Sequence, residues 1–386
     1  MGISFRSFYM AGFESSSHRR REDGVRLDLV AATGHDRMVR NDYRSCAEHG
    51  LLTIRDGLRW HLIEREPGRF EWSSWLPMLE AAVEEGVQVI WDLFHYGSPD
   101  HLDQASPEFV RSYARFAAEA VRLHREVAGT PALVCPLNEM SFLAWAARNG
   151  VFPAIGAGEE DGWLARHLVS TAVAGMRAMR EVDAACRFVW AEPLINVLPR
   201  TPAEASDAEA KRLSQFHIYD MLSGRTAPEL GGSPEWLDAV GLNFYSDNQW
   251  YLGGSTIPLG RHDYRPLADM LVETYRRYGR PLLITETGGE GSARAAWLHY
   301  VCDEVRDAIR RGVPVQGICL YPVTNFPDWD DGRCRQFGLF GAAGADRKRE
   351  AFAPLAAELR RQRESLERKK SLGVRLAGAD GSCPGS

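Results

Sequence analysis

Two glutamates stand out by what precedes them. Glu139 follows the apolar run ALVCPLN, and Glu286 follows LLIT. Two carboxyls flanking a bond are the minimum equipment for glycoside hydrolysis. One must hold a proton at neutral pH, through burial or through its partner's charge. The other must stay ionised, stabilised by hydrogen bonds and by a cation such as Arg55. Either glutamate alone could equally be a helix cap or a salt-bridge partner. The pair, with Asn138 directly before the first, is far more specific.

Something must aim these groups at one cleft. A recurrent pattern supplies it: a helix-like stretch, a glycine, then a short apolar run rich in β-branched residues. NDYRSCAEHG leads to LLTIR, MLEAAVEEG to VQVIWDLF, MLVETYRRYGR to PLLITE and CDEVRDAIRRG to VPVQGICLYP. The glycines, among them Gly129 and Gly279, sit where helix C-caps belong. The runs after them are largely apolar rather than alternating, as in parallel strands covered on both faces. Eight strands are expected, over Phe8–Phe13, Leu52–Arg55, Val87–Leu93, Leu133–Leu137, Arg187–Ala191, Ala239–Asn243, Leu282–Thr285 and Gly317–Tyr321. Helices are expected between them, including Gly162–Val182, Ala208–Leu222 and Asp346–Lys369.

Eight alternating units predict an α/β fold, a (β/α)8 TIM barrel. It would form one domain over residues 1–370, and the small, polar stretch 371–386 would form a disordered tail. The rival, an open doubly wound sheet, calls for a glycine-rich phosphate loop after the first strand. The first strand here ends AGFESSSH, with no such loop.

Catalytic groups of a barrel sit at the C-terminal ends of its strands. Those ends carry Glu14, Arg55, Asp92 and His95, Asn138 and Glu139, and Glu192. They continue with Asn243, Tyr245 and Asp247, then Glu286, and finally Tyr321, Asn325, Asp328 and Trp329. A purely structural barrel has no need of so polar a rim. The chain's 11 Trp, 12 Tyr and 16 Phe also suit a sugar cleft, because apolar sugar faces stack on rings.

Composition narrows the classes. Of 386 residues, 45% are hydrophobic and 25% charged, an ordinary globular mixture. A net charge of −6 argues against nucleic acid as a partner. No apolar run approaches a membrane span, and the N-terminus shows no secretory signal, so no membrane role is expected. Seven scattered cysteines, with no CxxC pair, suggest a reducing cytoplasm. No clustered Cys/His spacing suggests a metal, and no cofactor is expected.

The motifs together resemble those of the clan A retaining β-glycosidases, closest to glycoside hydrolase family 1 and its shorter relatives. The resemblance runs from about Phe8 to Phe340. LRWHLIEREPGRFEW follows strand two with Arg55 as the barrel arginine, and WDLFHYGSPDHL resembles the histidine–aromatic segment. LNEM resembles the acid/base motif, NFYS the Asn-[FY]-Tyr motif and ITETG the nucleophile motif. NFPDW followed by RQFGLF resembles the sugar-binding loop after strand eight.

The resemblance implies that Glu139 is the acid/base and Glu286 the nucleophile of a double displacement, with no metal and no cofactor. Asn138 would hold the sugar 2-hydroxyl. Arg55 and Tyr245 would orient Glu286, with Asn243 beside them as a substrate-binding residue. His95, Asp328 and Trp329 would bind ring hydroxyls, and Tyr321 would be the stacking floor. The partner would be a glycoside, with the oligomeric state undetermined.

The chain departs from the pattern in places. GFESSSHRRR lacks the family's Gln-x-Glu-Gly segment, Tyr321 stands where the family has Trp, and Asp328 lies one position beyond its usual Glu. A transglycosylase on the same site, or a carbohydrate-binding barrel without catalysis, are the alternatives. Several residues have plainer readings. Glu192 reads as a structural or rim carboxylate, Arg19-Arg20-Arg21 as a solvated rim, and Trp163, Tyr219 and Trp297 as core. Glu14 could replace a sugar-binding residue of strand one but is left outside the core set.

Overall fold

A computed structural model describes residues 2–156, 159–160, 162–344 and 347–379. Seven parallel strands are continuous. They are β1 (Tyr9–Gly12), β2 (Thr53–Gly57), β3 (Gln88–Asp92), β4 (Leu133–Cys135), β6 (Val240–Asn243), β7 (Leu282–Thr287) and β8 (Val315–Leu320). The remaining strand, β5, comes in two pieces, Arg187–Phe188 and Glu192–Pro193. The first piece pairs with β4 and the second with β6, and β1 pairs with β8, so the sheet closes on itself. Two hydrogen bonds join the seam: Val189 N donates to Val134 O at 2.8 Å, and Trp190 N to Ala239 O at 3.3 Å. This is the expected (β/α)8 barrel.

Alternation along the strands builds two cores. Met10, Ile90, Leu133, Cys135, Leu283 and Cys319 form a small cluster together with Val189 and Ala239. Their strand neighbours Ala11, Trp91, Val134, Ile284 and Leu320 belong to the large cluster that also contains the helix residues Phe116, Val169 and Val301. Side chains of period two alternate between faces. The small cluster is therefore the barrel interior and the large one the layer under the helices. Tyr219 and Trp297 are in that layer and Trp163 packs against it, as the sequence suggested.

The helices follow local signals. Pro107–Ala128 begins at Ser106, whose side chain accepts from Phe109 N, and ends at Gly129 with φ 67°. Leu267–Tyr278 ends likewise at Gly279, φ 62°. A side chain in this left-handed conformation would cost energy that glycine does not.

Some expected bounds shift. Trp163–Val182 lies within a residue of its expected range. The helix expected over 208–222 starts at Ala205 and is interrupted by a 3₁₀ turn, Ser214–Phe216. The last helix, Ala353–Ala379, starts seven residues later than Asp346, because Phe340 first bridges to Ala351. It runs on past residue 371, where a tail was expected. Residues 380–386, and with them Cys383, lie outside the described residues.

Among the described residues no helix is long and apolar enough to cross a membrane. Cys46, Cys135, Cys186, Cys302 and Cys319 are buried and free, and Cys334 is exposed.

Candidate active site

The strand ends converge on a cavity of about 570 Å³ at the C-terminal mouth of the barrel, lined by both Glu139 and Glu286. Glu286 lies on β7, where the register against β6 shifts between Ile284 and Glu286. Such an irregularity lets two consecutive side chains face inward. Thr285 Oγ1 donates to Asn243 Oδ1 at 2.7 Å, while Glu286 reaches Arg55. Glu139 sits between β4 and the helix Met140–Arg148, in the left-handed region at φ 43°, ψ 59°. That conformation costs a non-glycine residue about 1 kcal/mol or more and persists only where its surroundings enforce it. Here Glu139 N donates to Ala191 O at 2.9 Å, and the carboxylate is held from two sides. Tyr96 Oη donates to Oε2 at 2.7 Å and Asn243 Nδ2 to Oε1 at 2.8 Å.

Glu286 is held differently. Arg55 Nη1 donates to its Oε1 at 2.5 Å and Tyr245 Oη to its Oε2 at 2.9 Å. Arg55 is wholly buried and shares its charge. Its Nε donates to Asp92 Oδ1 at 3.0 Å and its Nη2 to Asn138 Oδ1 at 2.5 Å. Asp56, its neighbour in sequence, is taken instead by His35 and Tyr43. Asn138 Nδ2 donates to His95 Nε2 at 3.1 Å and to Tyr96 Oη at 2.9 Å. His95 Nδ1 faces Asp92 Oδ2 at 3.2 Å and Ser15 Oγ at 3.1 Å. One network thus joins Arg55, Asp92, His95, Asn138, Tyr96 and both glutamates.

Burial pushes Glu286 up to about 7; Arg55 pulls it down and the Glu139 charge raises it further. Glu286 is only 5% exposed, and Glu139 is half-buried at the cavity wall. Burial and the facing carboxylates also raise Tyr245 and Tyr96 well above the usual phenol range, so both remain hydrogen-bond donors. Burial alone would lower His95, but its bond to Asp92 and the charges of Glu14 and Asp92 raise it.

The remaining residues are placed as follows. Tyr321 and His95 line the cavity, with parallel rings 6.3 Å apart, and the Arg55 guanidinium lies 5.1 Å from the Tyr321 ring centre. Trp329 lines it too, packed edge-on to His18 at 4.8 Å and against Phe142 and Phe152. Asp328 reaches the cavity and is engaged through both oxygens. Its Oδ2 accepts from Arg335 Nη1 at 2.9 Å and its Oδ1 from Asp330 N at 3.0 Å, within the loop closed by the pair Phe326–Pro327 and Cys334–Arg335. Glu192 is a cap, accepting from Met140 N at 2.7 Å and Ser141 N at 3.1 Å. Burial and the charge of Glu139 push it up to about 8. Of the rim arginines, Arg19 pairs with Asp100, Arg20 with Asp23, and Arg21 donates to Gly150 O.

Tyr96 escaped the sequence reading; it directly follows His95, a signal that was present but read only as aromatic context. Glu14, left outside the core set, lines the cavity two residues beyond β1 in a segment that departs from the family pattern.

The geometry can be set beside known structures. A family 1 β-glucosidase from Thermotoga maritima superimposes with a TM-score of 0.70, covering 93% of this chain and 98% of that one at 16% identity. A hyperthermophilic β-glucosidase mutant gives 0.71, 92%, 100% and 15%. The fold is that of the family 1 β-glucosidases. The β-glycosidase BGL167 shares this β-glucosidase fold at a TM-score of 0.66 and 20% identity, over 86% of this chain and 87% of its own. No protein-family model and no curated protein matches the sequence. The β-glucosidase fold is therefore carried here by a sequence far from those of its structural neighbours.

Proposed function

We propose that this protein is a retaining β-glycosidase with Glu286 as nucleophile and Glu139 as acid/base. One observation carries the reading: two carboxylates line one cavity, each fixed by its own pair of donors, at the strand ends where barrel chemistry occurs. Structural neighbours named as β-glucosidases support it. One such neighbour is a β-glucosidase from Thermotoga maritima in complex with deoxynojirimycin.

In the first step a Glu286 carboxylate oxygen bonds to the anomeric carbon. The bond to the aglycone oxygen breaks, and that oxygen takes the proton of Glu139. In the second step water attacks the same carbon, Glu139 takes the water's proton, and the glycosyl–Glu286 bond breaks with its electron pair returning to the carboxylate. Two inversions give net retention. Arg55 and Tyr245 orient Glu286, and Tyr96 and Asn243 hold Glu139 towards the leaving oxygen. The partner is a β-glycoside, and the free buried cysteines support a reducing, cytoplasmic setting. The catalytic unit is one domain over residues 1–370.

A panel of nitrophenyl β-glycosides tests this, with the first-formed anomer read by proton NMR. The β anomer is expected, from wild type and not from Glu286→Ala. Release of the α anomer, or no hydrolysis across the panel, would overturn the reading.

A further inference from the structure

The most telling side chain of the cavity is one outside the catalytic network. Glu14 lines the cavity, is 6% exposed, and makes no salt bridge among the described residues. Only its Oε1 is engaged, accepting from Ser16 N at 3.0 Å and from Ser16 Oγ. Buried carboxylates are otherwise paired or fully hydrogen-bonded, so a bare oxygen facing a cavity is a group waiting for a donor. Its segment is rigidly set. A Cβ on Gly57 would come within 2.3 Å of Ser15, and one on Gly97 within 2.3 Å of the Ser17 carbonyl oxygen, so these glycines let the strand-one segment pack against β2 and the turn after β3.

A second, independent observation points to the same place. Tyr321, 3% exposed and lining the same cavity, has a buried hydroxyl with no hydrogen-bond partner. Burial raises that phenol well above its usual range, and the charge of Glu14 raises it further, more than that of Glu286. A carboxylate oxygen needs a donor, and a phenol needs an acceptor. One alcohol supplies both. Asp328, the residue expected to bind hydroxyls, is meanwhile occupied by Arg335.

Charge selects further. Besides the catalytic pair, the cavity wall carries Glu14, Asp247, Glu290, Asp328 and Asp330. Its one lysine or arginine among the described lining residues, Arg335, is already bound to Asp328 and Glu290. An anionic sugar would meet this carboxylate wall, and the cation-capable His95 in it already faces Asp92.

Resting on the glycosidase reading above, we propose that Glu14 and Tyr321 together grip one ring hydroxyl of a neutral glycoside. The hydroxyl donates to the free Glu14 oxygen and accepts from the Tyr321 hydroxyl. Strand one, rather than the loop after strand eight, then sets which sugar is accepted.

The test uses Glu14→Gln and Tyr321→Phe in the full chain. The substrates are the preferred nitrophenyl β-glycoside, its monodeoxy analogues and its uronic acid counterpart. Glu14→Gln should lose about 10- to 100-fold in kcat/KM on the parent, the range of a hydrogen bond to a charged group. One monodeoxy substrate should show a similar loss with wild type and little further loss with either variant. The uronic acid should be the poorest substrate for wild type. Melting temperatures of the variants should not fall, whereas a structural role for Glu14 would lower them.

Penalties that simply multiply for every monodeoxy substrate, or a Glu14→Gln effect under about twofold, would overturn the proposal. Binding of the free parent and deoxy sugars, followed by tryptophan fluorescence, separates the two claims. Coupled binding without hydrolysis would keep the grip and remove the catalytic reading. Hydrolysis without coupling would do the reverse.

Discussion

Arg55 Nη1 donates to Glu286 Oε1 at 2.5 Å from a guanidinium that also holds Asp92 and Asn138. The arginine is therefore shared, and it offsets burial of Glu286 only in part. The carboxyl stays raised, up to about 7. A nucleophile must be ionised, so kcat/KM should fall as pH drops through about 7 and Glu286 takes up a proton. The check is a pH profile of kcat/KM at low substrate. An acidic limb below about pH 5 would mean that Arg55 outweighs burial.

Removing the nucleophile leaves room beside Arg55 and Tyr245. Glu286→Ala should abolish hydrolysis of any accepted glycoside, and added azide or formate should restore turnover with a glycosyl adduct of inverted configuration. Product analysis by NMR decides it. Turnover like that of wild type in the variant would rule out the role given to Glu286.

Glu139 is held by Tyr96 and Asn243, and no salt bridge reaches it among the described residues. If it donates the proton, Glu139→Ala should slow glycosides with alkyl leaving groups far more than nitrophenyl ones, whose leaving oxygen needs little protonation. The measurement is kcat/KM for one sugar carrying each aglycone. Equal losses on both would remove Glu139 as general acid.

The barrel was readable because its cause is local and repeated. Each apolar run preceded by a glycine C-cap became a strand, with ends mostly within two residues. Glu139 and Glu286 were readable because strand ends of a barrel all face one mouth. What escaped depended on contacts far apart in sequence. The bond of Asp328 to Arg335 across a hairpin was not legible in the sequence. Glu14 looked peripheral, since nothing in GFESSSH shows that its carboxylate lacks a cation. The depth at which Glu286 is buried was not legible either, because burial is a property of the assembled cavity. The break at Ser214–Phe216 carries no proline or glycine to announce it.

Outside the cavity, His35 is wholly buried, with Nδ1 2.7 Å from Asp42 Oδ2 and Nε2 2.8 Å from Asp56 Oδ2. Its ring stacks on Phe13 at 3.7 Å, and Arg349 Nε donates to Asp42. Burial would lower this histidine, but the two carboxylates outweigh it and raise it to about 9. A raised folded value stabilises the protein fully below the unfolded value near 6.5, and that contribution is lost as pH rises to about 9. The loss should be about 3 kcal/mol, seen as a lower denaturant midpoint at about pH 9.5 than at about pH 6. A His35→Gln variant should start less stable and show less of this dependence. Equal pH dependence in both proteins would exclude the network as its source.

The central claim is a glycosyl bond to Glu286. A 2-deoxy-2-fluoro glycoside with an activated leaving group, matched to the preferred sugar, should trap that intermediate, because fluorine at carbon 2 slows both its formation and its breakdown while the activated leaving group restores the rate of formation alone. Mass spectrometry of the peptides after digestion reads the result directly. The expected outcome is one added fluoroglycosyl group, on the peptide carrying Glu286, with loss of activity in step with labelling. Labelling on another carboxylate, or continued hydrolysis of the parent glycoside by protein that never becomes labelled, would contradict it.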